Sequence, residues 1–470
     1  MPTTVGWASC SSTEARPIFS NSAARLIPAV FLIRPPGRFA PVSAVPHPCE
    51  VLWDEDALIR VLAPSEQRFV RHGTYTGRSV SVRGALDVTA LREAFATLRR
   101  AYPVIGCRIM EGVAGQGYLL AADQRAWAPV SVREGDVAAV GIPAADPAVQ
   151  LAYLEVARAS AEEWRVTLFA HHSVADAGHC VELLSRLWDF YTGIVEGGRT
   201  SVAPHEIPQS LEWHVAARGI SRAAVSGFED VTKPLPPEAR DAPSDGAQPA
   251  PSTLARPLRV RLDRAATARI IDLGRKTGVT VNGLLTAALL RAHARETTGG
   301  ATPLGCLYPV DLRSRLTPPV AAAAGTNMAG MASFAAEVDP AADFLELAQR
   351  ISARLAHDLA EGVVRQSVLH FPDFYGVTRR HSLAGHIAVT NTGVVPAFRL
   401  PAGLELTDYE IVYLSAHPRP SAGASAAVTY LVYTFAGELT VGVLGGGAHA
   451  EGLLVAVRAE LTALAAVCAG

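Results

Sequence analysis

Between residues 228 and 256 the chain carries Pro234, Pro236, Pro237, Pro243, Pro249 and Pro251 among Asp, Ser and Gly. Proline locks φ and removes a backbone donor, so no buried helix or central strand runs through such a stretch. It cuts a chain of 470 residues into two halves of ordinary domain size. We therefore expect a linker over 228–256, a first folded half over 51–227 and a second over 257–470. Residues 1–50 hold Pro35, Pro36, Pro41, Pro46 and Pro48 without a sustained hydrophobic period. They read as a poorly ordered extension.

Within the first half, Ser79-Val80-Ser81-Val82-Arg83 alternates as a half-buried strand does. Asp87 then caps a helix whose apolar face is Val88, Leu91, Phe95 and Leu98. Pro103 ends it, and Val104 to Met110 reads as a strand. Trp164 to Ala170 reads as another, mostly apolar. A helical stretch follows with Val181, Leu183, Leu184, Leu187 and Trp188. The second half opens in the same way, with a strand at 258–262 and a helix beyond it. Thr280 caps a helix with Val281, Leu284, Leu285, Ala288, Leu289 and Ala292 on one face. Leu304 to Leu312 reads as a buried strand, and Phe344, Leu347, Ile351 and Leu355 as a helical face. Val428–Phe435 and Leu439–Leu444 flank Ala436-Gly437 as a hairpin. Helix and strand mix without a regular βαβ beat, which favours an α+β fold over a Rossmann fold.

Composition excludes several function classes. Hydrophobic residues are 49%, charged residues 18%, and the net charge is -2, a globular balance with no basic surplus for nucleic acid. The six cysteines include no C-x-x-C pair, so neither a zinc site nor a redox motif is expected, and they read as reduced thiols of a cytoplasmic protein. The apolar run Leu26 to Ile33 is short and broken by Pro28, so neither a signal peptide nor an integral membrane segment is expected. Gly445-Gly446-Gly447 lacks both a dinucleotide pattern and a Walker lysine, and no cofactor is expected.

The residues that carry chemistry are His171-His172-Ser173-Val174-Ala175-Asp176, on a loop between a buried strand and a helix. Acyl transfer to an alcohol needs a base that is neutral near pH 7, and imidazole is one, with an ordinary pKa of about 6.5. A loop at the end of a buried strand holds it firmly. An acid four residues on is placed to fix the loop by pairing with an arginine. His171, His172 and His179 do not come with a second ligand motif, so a metal centre is not the expectation.

His-His-x-x-x-Asp resembles the motif of the chloramphenicol-acetyltransferase-like superfamily, which includes condensation domains and alcohol acyltransferases. Within it, the chain is similar to the polyketide-associated acyltransferases, in particular the phthiocerol/phthiodiolone dimycocerosyl transferases. Ser65-Glu66, Tyr308-Pro309-Val310-Asp311-Leu312-Arg313, Thr326-Asn327, Asp358 to Val363, Gln366-Ser367, Leu369-His370-Phe371 and Pro401 to Glu405 carry the likeness, in the same order, over roughly 55–450. The resemblance implies two lobes with a substrate tunnel between them. It implies that His172 is the base, that His171 supports the motif, and that Asp176 is structural and pairs with Arg313. It further implies an acyl donor on an acyl-carrier protein or polyketide synthase carrier domain, or on CoA, an alcohol or diol acceptor, and direct transfer without an acyl-enzyme. Asn391, after the strand 386–390, stands where superfamily members place a substrate or oxyanion loop. One departure is Ala177, where the family has Gly directly after the Asp. Glycine there would permit positive φ, so the departure predicts a strained loop, or a turn taken over by Gly178. Two other readings stay open: an amide-forming condensation enzyme, and an inactive protein that binds carrier domains.

Overall fold

The computed structural model describes residues 57–112, 115–123, 125, 127–141, 143–198, 202–234, 251–374, 381–382, 386–419 and 428–467. The extension 1–50, most of the proline-rich stretch, and Cys10, Cys49 and Cys468 lie outside these residues.

Two six-stranded sheets organise the fold. The first contains β2 (Thr74–Arg83), β5 (Ser131–Glu134), β6 (Ala152–Arg158), β7 (Glu163–His171), β9 (Thr253–Ala255) and β15 (Glu405–Ser415), in the order β5-β6-β7-β2-β15-β9. The second contains β10 (Leu258–Arg261), β11 (Thr302–Asp311), β12 (Ala329–Val338), β14 (Ile387–Val394), β16 (Val428–Phe435) and β17 (Glu438–Gly445), in the order β10-β17-β16-β14-β11-β12. Each sheet mixes parallel and antiparallel pairs, as an α+β chain does. A small sheet joins β1 (Leu58–Val61), β3 (Arg108–Glu111) and β4 (Gly117–Leu120), and a two-stranded one joins β8 (Lys233–Pro234) and β13 (His381–Ser382).

The first sheet takes strands from both halves of the chain. β15 pairs with β2 along its whole length, from Glu405 opposite Arg83 to Ser415 opposite Thr74. Its acidic residues are held from several sides: Glu410 by Arg165 at 3.2 Å and Arg256 at 2.7 Å, Asp408 by Arg259 at 3.0 Å.

Helices cover the sheets with their apolar faces, and several start at a polar cap. Asp87 accepts hydrogen bonds from the amides of Thr89 and Ala90 and starts the helix Val88–Ala101. Asp263 does the same through Ala266 for the helix Arg264–Thr277 in the second half. The helix Ala177–Val195 buries Cys180, Leu183, Leu184, Leu187, Trp188 and Tyr191, spaced as one helical face. Burying each large apolar side chain contributes about 1.5–3 kcal/mol. Together with β2, β7 and β15 these residues form one core, and the helices and strands of the second sheet form another.

One expected strand is shorter than its apolar run. Pro103–Gly106 is a 3-10 turn, and only Arg108–Glu111 is extended. Val104 and Ile105 are both buried although adjacent, which a turn allows and a one-sided strand does not. The Gly106 carbonyl accepts from the Trp127 indole at 2.9 Å, and a Cβ on Gly106 would meet that ring at 2.5 Å.

Candidate active site

β7 ends at His171 and His172 follows it directly, so the alternation of the strand carries the two rings to opposite sides of the sheet. His171 pairs with Tyr75 of β2 and packs edge-on against its ring at 4.9 Å. It is fully buried, and its Nδ1 accepts from the Ser173 amide at 3.3 Å. Burial pushes it down to about 3, so the ring is neutral.

The strand ends there, and the loop is stitched down from two directions. The His172 amide donates to the Thr74 carbonyl at 2.7 Å, and the Ser173 hydroxyl donates to the Glu66 carbonyl at 2.8 Å. From the second half, Asn327 Nδ2 donates to the carbonyls of His172 at 2.6 Å and Ser173 at 3.0 Å. The Asp176 amide donates to the Thr326 carbonyl. The Thr326 hydroxyl in turn donates to the buried Glu66 carboxylate at 2.7 Å. No pattern in the chain assigns these tasks to Glu66, Thr326 or Asn327, although all three lie in segments that carry the family likeness.

Asp176 caps the helix that follows. Its Oδ1 accepts from the His179 amide at 3.0 Å. Its Oδ2 accepts from Arg313 Nη1 at 2.7 Å and from the Met328 amide at 2.8 Å. Arg313 Nη2 also donates to the Gly325 carbonyl at 3.1 Å. Burial by itself would raise the Asp176 carboxyl; the Arg313 charge and these hydrogen bonds override it and hold the group below its ordinary value. The structure thus brings Asp176 and Arg313 together across the two halves, with the carboxylate occupied by structural partners.

The strain expected at Ala177 does not arise. Ala177 is the first residue of the helix Ala177–Val195, and Ala436 is the non-glycine residue with positive φ among those described. Gly178 also has no positive φ; a Cβ there would come 3.3 Å from Arg313 Nη1. The tight spot is thus beside the ion pair, one residue after the place where the family has glycine.

His172 turns to the other face. Its ring lies parallel to Phe69 at 4.0 Å, tilted by 6°, and 6.1 Å from the ring of Tyr413 on β15. Its Nδ1 is enclosed without a hydrogen-bond partner. Burial, then the Arg68 charge, push it down to about 3, against an opposing pull from its own carbonyl. The imidazole is therefore neutral across the physiological range, and the same burial disfavours its protonated form.

Asn391 is part of β14, not of a loop. Its Oδ1 accepts from the Gly393 amide at 2.9 Å and its Nδ2 faces Asn282 Oδ1 at 3.5 Å. No hydrogen bond or ring contact joins it to His172, Asp176 or Arg313 among the described residues. No cluster of three His, Cys, Asp or Glu side chains able to hold a metal occurs among the described residues. No helix among them is long and apolar enough to cross a membrane.

The histidine pair is thus split by the sheet, and the capping Asp is tied to the other half of the chain. The sequence model described as the phthiocerol/phthiodiolone dimycocerosyl transferase C-terminus matches residues 251–444. A phthiocerol/phthiodiolone dimycocerosyl transferase of Mycobacterium ulcerans is 34% identical over 366 residues, covering 75% of this chain and 85% of that protein. One of Mycobacterium bovis is 32% identical over 416 residues, covering 86% and 96%. The chain belongs to the phthiocerol/phthiodiolone dimycocerosyl transferase family. It is an acyltransferase of the kind that acts in lipid biosynthesis. The solved structure of polyketide synthase associated protein 5 from Mycobacterium tuberculosis superposes with a TM-score of 0.72 at 28% identity, covering 87% of this chain and 99% of that one. The first condensation domain of the CDA synthetase shares the fold, with a TM-score of 0.57 at 17% identity over 87% and 96%. Both members of the comparison have the two-lobed, condensation-domain-like architecture, and this dimycocerosyl transferase relative shares it.

Proposed function

We propose that the protein moves an acyl group from a thioester, on a carrier protein or CoA, to a hydroxyl acceptor, with His172 as general base. The observation that carries this reading is the neutral His172 ring, packed on Phe69, on a loop fixed from both halves of the chain. His172 takes the proton from the acceptor hydroxyl as its oxygen adds to the thioester carbonyl. The tetrahedral species then collapses, the C–S bond breaks, and the sulfur leaves with the proton from His172. General-base action of this kind contributes roughly 10²–10⁴-fold, and holding both substrates together supplies much of the rest.

Direct transfer without an acyl-enzyme fits the surroundings of the base. The Ser173 hydroxyl is committed to the Glu66 carbonyl. The Cys180 thiol points to the Ala175 carbonyl at 3.8 Å, and burial pushes it up to about 11. Neither is placed or activated as a nucleophile. Asp176 and Arg313 support the loop rather than exchange protons. The unstrained helix start at Ala177 offers no reason for an inactive site.

The test is a mass-spectrometric assay with acyl-CoA and acyl-N-acetylcysteamine donors of several chain lengths, against alcohols, diols and amines, run beside His172→Ala. Ester product that falls at least 100-fold in the variant supports the reading. Ester formed at an unchanged rate by His172→Ala removes His172 from the reaction, and product from amines alone replaces ester formation by amide formation.

A further inference from the structure

Three consecutive residues of the second half grip the motif. The Thr326 carbonyl accepts from the Asp176 amide at 3.2 Å, and the Met328 amide donates to Asp176 Oδ2 at 2.8 Å. Between them, the side chain of Asn327 reaches the histidine loop. Asn327 is 1% exposed. Its Nδ2 donates to two successive carbonyls, those of His172 at 2.6 Å and Ser173 at 3.0 Å, and so uses both of its N–H donors. Its Oδ1 is enclosed and has no hydrogen-bond partner. Turning the amide round would set Oδ1 against two carbonyl oxygens, acceptor against acceptor, so the network fixes which end is nitrogen. An unpaired buried acceptor is a net cost, so packing does not account for an asparagine here and the work of Nδ2 does.

Nδ2 fixes a carbonyl that stands beside the base. The main chain of His172 is held at both ends: its amide donates to the Thr74 carbonyl at 2.7 Å, and its carbonyl accepts from Asn327. Its ring is half-buried and stacked on Phe69 at 4.0 Å. Of the two ring nitrogens, Nδ1 is the enclosed one, and no other residue gives it a hydrogen-bond partner. Nδ1 is also the ring nitrogen next to the main chain; Nε2 lies too far round the ring to meet its own carbonyl. That carbonyl is the acceptor that favours a proton on the ring. In a neutral imidazole one nitrogen carries the proton and the other the lone pair, and the surroundings of the first decide the second. A carbonyl held beside Nδ1 keeps the proton there and leaves the lone pair on Nε2, the nitrogen that is not enclosed.

We propose that Asn327 is a positioning residue for the base: by holding the His172 carbonyl it keeps the imidazole proton on Nδ1 and leaves Nε2 to take the proton of the acceptor hydroxyl. This rests on the transferase reading above. Asn327 touches no reacting atom and acts through His172. Without its amide, the carbonyl is free to turn away from Nδ1, both tautomers become populated, and only the one with a lone pair on Nε2 serves as base.

The tautomer and the rate test it together. Nitrogen NMR of histidine-labelled protein, with the His172 signals assigned by their loss in His172→Ala, reads the tautomer without any substrate. Turnover is read as kcat and KM with octanoyl-CoA and octanol. In the wild type, Nδ1 is expected to carry the proton. Asn327→Leu fills the same space without a donor. It should mix the two tautomers and lower kcat by roughly 10- to 10²-fold, as a small misplacement of a catalytic group does, with KM within about threefold. Asn327→Ser keeps one donor on a smaller side chain; it should fall between the two, and the same outcomes decide if Asn327→Leu does not fold. An anchor with no effect on the base would lower the melting temperature and leave the tautomer and kcat unchanged; that result overturns the assignment. A loss of kcat with the wild-type tautomer kept overturns it too, as does a wild type with the proton on Nε2. A tautomer that shifts in the variants, in a protein that makes no ester from any acceptor of the panel above, upholds the hold of Asn327 on His172 and overturns the transferase reading.

Discussion

Two buried arginines stand on either side of the motif and differ in one respect. Arg313 meets Asp176 at 2.7 Å, and the carboxylate it neutralises is completed by two backbone amides. Arg78 meets a hydroxyl and a carbonyl and no carboxylate. Burial opposes both charges. For Arg313 the partner offsets that cost within the chain, so its interaction belongs to the fold. For Arg78 the offset comes without a paired carboxylate, from the Thr76 hydroxyl and from the field of neighbours that include Asp176. A buried charge is informative less for being buried than for whether its partner is already present.

The comparison breaks most decisively at Arg313. Arg313→Met leaves Asp176 charged and buried, and removing one partner of a buried pair costs about 3–5 kcal/mol. The urea midpoint should fall accordingly, and the double change Asp176→Leu with Arg313→Met should recover part of the loss. If Arg78→Met lowers the midpoint as much as Arg313→Met, the distinction between the two arginines is lost.

Acid should act next. His171 and His179 are held at about 3 and about 4 by burial, against an ordinary 6.5. Below that ordinary value the unfolded chain takes up protons that the folded chain refuses. Their contribution is therefore full above pH 6.5 and is lost as pH falls toward the folded values, at about 1.4 kcal/mol per pH unit for each group. Asp176, whose carboxyl is lowered, adds a further loss at still lower pH. Urea midpoints at pH 7, 6 and 5 measure the slope, and His171→Phe should flatten it. A midpoint constant over this range means the histidines are not held neutral by the fold.

The same depression sets the activity profile. His172 is available as a base wherever its ring is neutral, so the acid limb of kcat/KM should fall well below pH 6.5. A limb at or above 6.5 means that another group limits the reaction. Two smaller effects bound the site. Phe69→Leu removes a stacked ring from His172, an interaction worth about 0.5–1.5 kcal/mol, and kcat should drop by roughly threefold to tenfold. Asn391→Ala touches a turn bond to Gly393, with a stability cost of about 0.5–1.5 kcal/mol and kcat within about twofold. A larger kcat loss would bring Asn391 back to the substrate.

The elements that read clearly in the chain are those whose cause is local. Asp87 and Thr280 each precede an apolar helical face, and each accepts amide hydrogen bonds at the start of that helix. The hairpin about Ala436-Gly437 needs positive φ at both residues and has it. Val104 to Gly106 reads as strand and folds as a turn, because a buried turn and a buried strand are equally apolar. The extent of β14 past Thr390 was hidden because Asn391-Thr392-Gly393 has turn chemistry, while its pairing comes from β16.

The amino-acid sequence alone determined the α+β class, the placement of the His-His-x-x-x-Asp motif between a buried strand and a helix, and the family. Those follow from periodicity, capping and residue order, which are properties of neighbours along the chain. Tertiary structure decided that β15 crosses into the first sheet, that Phe69 and Tyr413 flank His172, that Thr326 and Asn327 hold its loop, and that Arg78 lacks a paired carboxylate. Each of these depends on which distant side chain is near, and on which hydrogen-bonding groups are already taken. Burial and partnership are sums over the whole packed molecule, and no local window of sequence contains them.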